Sequence, residues 1–217
     1  MCWNKRLIGT GQSRPMRDPY LWEDAPALKN LLGIKDAKAL EQAEADITYL
    51  RLYDVDGAVE SMPFSLSRLL AVHKHIFGDI YGWAGTVRVI PIVKGERVLG
   101  GDTVRYSQPD DIERDCDTAI KKLNETDWTS LGVHETAEVY TKLIATLWQV
   151  HPFREGNTRT TVTFATQFAE AHGFRMDKTL LKDSAAYVRD ALVKASDGQY
   201  SEYEFLVNIF EDAIRRG

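Results

Sequence analysis

The chain has 217 residues, 44% of them hydrophobic, with a formal net charge of −5 and two cysteines. That length and apolar content suit one domain with a sizeable core, and the acidic balance without any basic block argues against a general nucleic-acid binder or a membrane-surface protein, because phosphate groups are held by clustered Lys and Arg. Cys2 and Cys116 are too few and too far apart for a metal ligand set or a disulfide framework, no run of about 18 apolar residues offers a membrane span, and the opening Met-Cys-Trp-Asn-Lys-Arg leads into no signal-type apolar core; a cytoplasmic location is expected.

Residues 1–17, with Gly9, Gly11 and Pro15 and little periodicity, read as an extended arm, followed by a single domain over 18–217. Over 36–52, Leu40, Ala43, Ile47, Leu50 and Tyr53 recur at helical spacing with Glu41, Glu44 and Asp46 on other faces, which predicts an amphipathic helix. Residues 65–77 carry Leu66, Leu69, Leu70, His73, Ile76 and Phe77 as a second stripe closed by Gly78. Of His73 and His75, one is expected in the core and the other in solvent; Tyr81 and Trp83 read as core aromatics. The Val- and Ile-rich run 86–93, a turn at 94–97 and a resumption at Val98 and Leu99 predict a β-hairpin, with Pro91 confining it to an edge or a two-stranded ribbon. Helices are then expected over 110–124, with Pro109 as start signal, and over 133–150, stopped by Pro152. A further apolar run, Val162 to Ala169, ends at Gly173; two more helices follow over 178–194 and 201–214, with Asp197-Gly198 as the turn between them. The sum is a mainly all-α helical bundle with one β-hairpin flap.

Between the helices ending near Val150 and beginning near Gly156 lies His-Pro-Phe-Arg-Glu-Gly-Asn-Thr-Arg, residues 151–159. Singly these residues are ordinary: a His at a helix end is commonly a cap, and Glu-Gly-Asn is commonly a turn. As an ordered set they hold what transfer from a nucleotide requires. His151 is the one side chain here whose unperturbed pKa lies near neutrality, so it can take a proton from a hydroxyl. Glu155 offers one carboxylate, which suits Mg2+ carried on nucleotide phosphates. Gly156 allows close backbone approach, and the unpaired N–H groups of the helix it opens form an anion site, to which Asn157 and Arg159 add side-chain donors. Phe153, apolar among polar neighbours, reads as the anchor of the loop.

The stretch resembles the signature of the Fic family, His-Pro-Phe-x-Asp/Glu-Gly-Asn-Gly-Arg-x-x-Arg: residues 151–157 and Arg159 match it, while Thr158 replaces the second glycine and Val162 the last arginine. The segments 18–52 and 72–85 are also similar to the family, so the likeness runs from about residue 18 to the end. The resemblance implies AMP transfer from ATP to a Ser, Thr or Tyr hydroxyl of a target protein, with pyrophosphate leaving. It implies His151 as base, Glu155 holding Mg2+, and Gly156, Asn157, Thr158 and Arg159 binding the nucleotide. Lys94 is a candidate to reach a phosphate. The flap, Val89, Ile90, Pro91, Ile92, Val93, Lys94 and Gly95, would hold a target segment as an added strand. The last arginine meets the γ-phosphate in the family, and the Doc toxins that lack it transfer phosphate, so a Doc-like kinase with reversed nucleotide stays open at Val162. So does a silent protein-binding module. A Ser/Thr-x-x-x-Glu pattern occurs only at 166–170, within a core helix; likeness to small bacterial toxins makes a separate antitoxin a further candidate partner.

Overall fold

The computed structural model describes residues 18–217, the side chain of Arg216 excepted, so the arm expected at 1–17 lies outside the described residues. Asp36 starts the first helix, α1 (Ala37–Val59), by accepting the Ala39 N–H at 2.8 Å. Its buried line is Leu40, Thr48, Val55 and Val59. Leu50 and Tyr53, expected on that line, are 69% and 93% exposed. At roughly 100° per residue they stand about 200° and 140° round from Thr48, and α1 presents only one face, to α2 (Leu66–Phe77). Ser65 caps α2, and the stripe through Leu69, Val72, His73, Ile76 and Phe77 is buried as its spacing requires.

The remaining helices are α3 (Ile112–Glu125), α4 (Val133–Val150), α5 (Asn157–Ala171), α6 (Lys178–Asp183), α7 (Ala185–Ala195) and α8 (Glu204–Arg216). Helix α4 is the axis of the fold and packs against α3, α5, α7 and α8. Tyr140, Ile144, Leu147 and Trp148, which share one face, are therefore all buried, and so are Ala145 and Val150 to either side of it. Each such side chain withdrawn from water stabilises by about 1.5–3 kcal/mol. A second, smaller core joins Leu40, Val55 and Val59 of α1 to Val72, Ile76, Phe77, Ile80 and Tyr81. Helices α2 and α5 pack together and hold the two cores in one body. No helix among the described residues is long and apolar enough to cross a membrane.

The expected β-hairpin does not form: among the described residues 86–99 contain no strand, only irregular backbone and a 3-10 turn, Arg97–Leu99. Two inward charges take the place of a ladder. Arg88 and Glu96 are each 1% exposed and spend their polar atoms inside the protein, and the backbone after Glu96 closes on itself through Glu96 N–H to the Asp102 carbonyl (2.8 Å) and Gly101 N–H to the Glu96 carbonyl (2.9 Å). Pro91 removes a donor from the middle of the segment. Val89 and Val93 point outward, 67% and 80% exposed.

Candidate active site

Helix α4 ends in an unusual way. Its C-cap is His151, at φ 53° and ψ 58°, the sole positive-φ residue other than glycine among the described residues. A left-handed conformation costs a residue with a Cβ roughly 1–2 kcal/mol, so the surroundings must hold it. The His151 N–H donates to the Trp148 carbonyl at 3.0 Å, Pro152 prevents a further helical turn, and the imidazole stacks on Tyr106 with ring centroids 4.1 Å apart. The ring is buried, 3% exposed, yet neither nitrogen has a hydrogen-bond partner among the described residues. Burial, reinforced by the Lys94 charge, holds its pKa well below the ordinary histidine value. A neutral imidazole with an unused acceptor is able to take a proton from a hydroxyl brought against it.

The loop after His151 is braced from below. Phe153 is fully buried and stacks on His73 at 3.7 Å and 13°. His73 in turn accepts the Gly85 N–H at Nδ1 (2.8 Å), which leaves Nε2–H to donate to the Glu155 carbonyl at 3.1 Å. Burial pushes the His73 pKa down to about 3, so it stays neutral. His75 lies at the surface against Asp54, which matches the division expected of the pair. Gly156 adopts φ +81°, and a Cβ there would lie 2.3 Å from Cζ of Phe77; glycine is required by conformation and by space together. It opens α5, whose first backbone N–H groups have no intrahelical acceptor and face the loop.

The side chains of the loop divide into occupied and available. Asn157, 3% exposed, turns back on the loop: its Oδ1 accepts the Phe153 N–H (2.8 Å) and its Nδ2 donates to the Phe153 carbonyl (2.7 Å). Thr158 is helical and its hydroxyl accepts Trp148 Nε1–H at 3.0 Å, so a residue other than glycine is unstrained there. Arg159 reaches α1, pairing with Glu44, donating to Thr48 Oγ1 (2.9 Å) and lying over the Phe77 ring (4.7 Å). Glu44 also accepts the Tyr81 hydroxyl, although its position in the helical pattern suggested a solvated face. The Glu155 carboxylate, about a third exposed, accepts the Gly156 N–H at 3.0 Å and faces Lys94 Nζ at 3.9 Å. Burial raises its pKa, but Lys94, that N–H, Arg159 and Arg154 outweigh it and hold the carboxyl below its usual value.

The structure thus brings His151, Glu155, Gly156 and Lys94 to one place, with Asn157 and Arg159 behind them as braces. No group of three or more His, Cys, Asp or Glu side chains forms a metal cage among the described residues. One ionised carboxylate beside an anion cradle fits a divalent cation that arrives on a polyphosphate and keeps most of its waters. Beyond Arg159 a cavity of about 700 Å³ opens between α1, α5, α6 and α7, lined by Tyr49, Leu52, Thr158, Val162 and Thr166 among others. Val162 therefore borders open space as well as the core. Sequence reasoning missed Arg88, a lone charge inside an apolar run, and the chain Arg189–Glu96–Tyr106, in which Glu96 accepts from Arg189 (2.6 Å) and from the Tyr106 hydroxyl (3.2 Å) beneath His151.

The model of the Fic/DOC family matches residues 63–169. The chain is 33% identical over 161 residues to the protein adenylyltransferase VbhT of Bartonella schoenbuchensis, covering 74% of this chain and 32% of VbhT, so it spans about a third of that relative. It is 28% identical over 190 residues to the "Probable protein adenylyltransferase y4lH" of Sinorhizobium fredii, covering 84% and 90% of the two. The crystal structure of the N-terminal Fic domain of a VirB-translocated Bep effector from Bartonella quintana superposes with a TM-score of 0.71 at 25% identity, covering 89% of this chain and 90% of that one.

Proposed function

Because the chain carries a domain of the Fic/DOC family, we propose that it is a protein adenylyltransferase, which moves AMP from ATP to a Ser, Thr or Tyr hydroxyl of a target protein. The observation that carries this reading is His151: a buried, neutral imidazole with both nitrogens unpartnered among the described residues, set beside the open N-terminus of α5. The target hydroxyl oxygen forms a bond to the α-phosphorus as its proton passes to His151, and the bond to the bridging oxygen breaks to release pyrophosphate. The α5 backbone N–H groups and Lys94 hold phosphate oxygens in line; rate enhancement comes mainly from positioning and charge neutralisation. Glu155 would hold Mg2+, which when bound would neutralise phosphate charge. The target segment runs along residues 89–95, where Val89 and Val93 stand exposed. Asn157 and Arg159 support this arrangement by shaping the loop and by tying α5 to α1.

Val162 favours one rival: without an arginine at that position the γ-phosphate loses a donor, and a reversed nucleotide would transfer phosphate. Incubation with α- and γ-labelled ATP separates the two. Adenylyl transfer labels protein, either the chain itself or a target in a lysate, from the α-label only; label from the γ-position only refutes it. His151→Ala should abolish labelling while keeping Mg2+-dependent ATP binding, whereas Glu155→Gln should lose the Mg2+ dependence. Equal, unchanged Mg2+-dependent affinity in both variants would remove the role given to Glu155.

A further inference from the structure

The conformation of His151 has to be maintained by something other than its own backbone, and the buried guanidinium beneath it is placed to do so. Arg88 is 1% exposed and forms no ion pair among the described residues. Its donors go to carbonyls: Nε to His151 (2.8 Å), Nη1 to Ile90 (2.7 Å), and Nη2 to Ser107 (2.5 Å) and Val150 (3.4 Å), while its own N–H donates to the Pro152 carbonyl at 2.8 Å. Three of these acceptors belong to 150–152, the point where α4 stops and the chain reverses. Two of them are end carbonyls of α4 that have no intrahelical donor, and a cation there also opposes the negative end of the helix dipole. The other two come from the root of the irregular segment 86–99 and from residue 107.

We propose that Arg88 is the positioning residue of the reaction: its guanidinium fixes the left-handed backbone at His151 and fastens the root of the target-binding segment to the same point. This rests on His151 being the base, as proposed above. A buried cation costs several kcal/mol to desolvate, and carbonyl oxygens alone compensate it here, so a residue needed only to fill space would be apolar. The planar fork reaches three directions at once, which a single ammonium does not. Misplacement of a reacting group by about 1 Å is worth roughly a hundred-fold in rate.

The test compares Arg88→Met and Arg88→Lys with the unaltered protein by thermal melting, by the backbone 13C shifts of His151 in labelled protein, and by nucleotide affinity against labelling rate from α-labelled ATP. Arg88→Met should lower the rate about a hundred-fold and Arg88→Lys about ten-fold, with ATP affinity within about two-fold of the original. The His151 shifts should move away from their left-handed values in both. A folded variant with unchanged His151 shifts, with full rate, or with affinity falling as much as rate overturns the proposal. Should Arg88→Met not fold, Arg88→Lys decides; failure of the lysine variant to fold makes Arg88 structural and also overturns it. The shift measurement needs no turnover: His151 shifts that respond to Arg88 in a protein giving no label from α-labelled ATP would overturn the adenylyltransferase reading, and with it the part of Arg88 in the reaction, and leave only its hold on the backbone.

Discussion

Substituting alanine for Gly156 tests the entrance to α5 at its most constrained atom. The residue sits at φ +81°, where a Cβ costs roughly 1–2 kcal/mol, and that Cβ would fall 2.3 Å from Cζ and 2.4 Å from Cε2 of Phe77. Phe77 has little room to yield. It is fully buried, lies against His73 at 4.8 Å and Tyr81 at 6.3 Å, and carries Arg159 on its face. Displacing a ring in a packed core costs about 1–3 kcal/mol, so the two effects together predict a loss of about 2–5 kcal/mol. Urea unfolding measures this as a lower midpoint at unchanged slope. In a chain of this size each kcal/mol corresponds to about 2–4 °C in Tm. Phe77→Leu in the Gly156→Ala background relieves the contact but not the backbone strain, so a double-mutant cycle should return a coupling of about 1–3 kcal/mol. A loss below about 1 kcal/mol, or zero coupling with Phe77, would show that the α5 entrance is not held against α2 as described.

Two further outcomes follow from the geometry. His73 and His151 are both held neutral by burial, with folded pKa values below the unfolded 6.5, so the unfolded chain binds more protons and their contribution is complete above pH 6.5 and is lost as pH falls toward the folded values. Between pH 7.5 and 5.5 each should cost on the order of 1 kcal/mol of stability, and their ring NMR signals should not titrate across that window; a midpoint near 6.5 in either ring refutes its neutral burial. Val162→Arg should fold, because Val162 borders the 700 Å³ cavity, and it should tighten ATP over ADP by about one charge-assisted hydrogen bond, roughly 1.5–3 kcal/mol or ten- to a hundred-fold. A folded variant with unchanged ATP preference over ADP would place the γ-phosphate elsewhere.

The sequence by itself determined the helical bundle and the loop from which the proposed site is built. Both follow from local information: apolar spacing marks most of the helix residues that leave water, Leu50 and Tyr53 of α1 excepted, and Pro152, Gly156 and Gly173 mark where the backbone has to turn. The residues 151–159 suggested their chemistry in order, since one short loop carries an imidazole, a carboxylate and a helix N-terminus. What tertiary structure decided is how those groups are used. Asn157 and Arg159 look in sequence like phosphate donors, but their hydrogen bonds go to Phe153 and Glu44, partners no local pattern identifies. Glu44 itself reads as a solvated position until the turn after α2 brings Tyr81, and α5 brings Arg159, against it. The Val- and Ile-rich run 86–93 has strand composition and does not form a strand, because a strand needs a partner edge and this segment is instead tied down by Arg88 and Glu96. The left-handed turn at His151 is fixed in the same way, by the carbonyl bonds of an arginine 63 residues earlier in the chain. Spacing along the chain reports which face of an element avoids water; which polar group finds which partner depends on long-range contacts that exist only once the helices have packed.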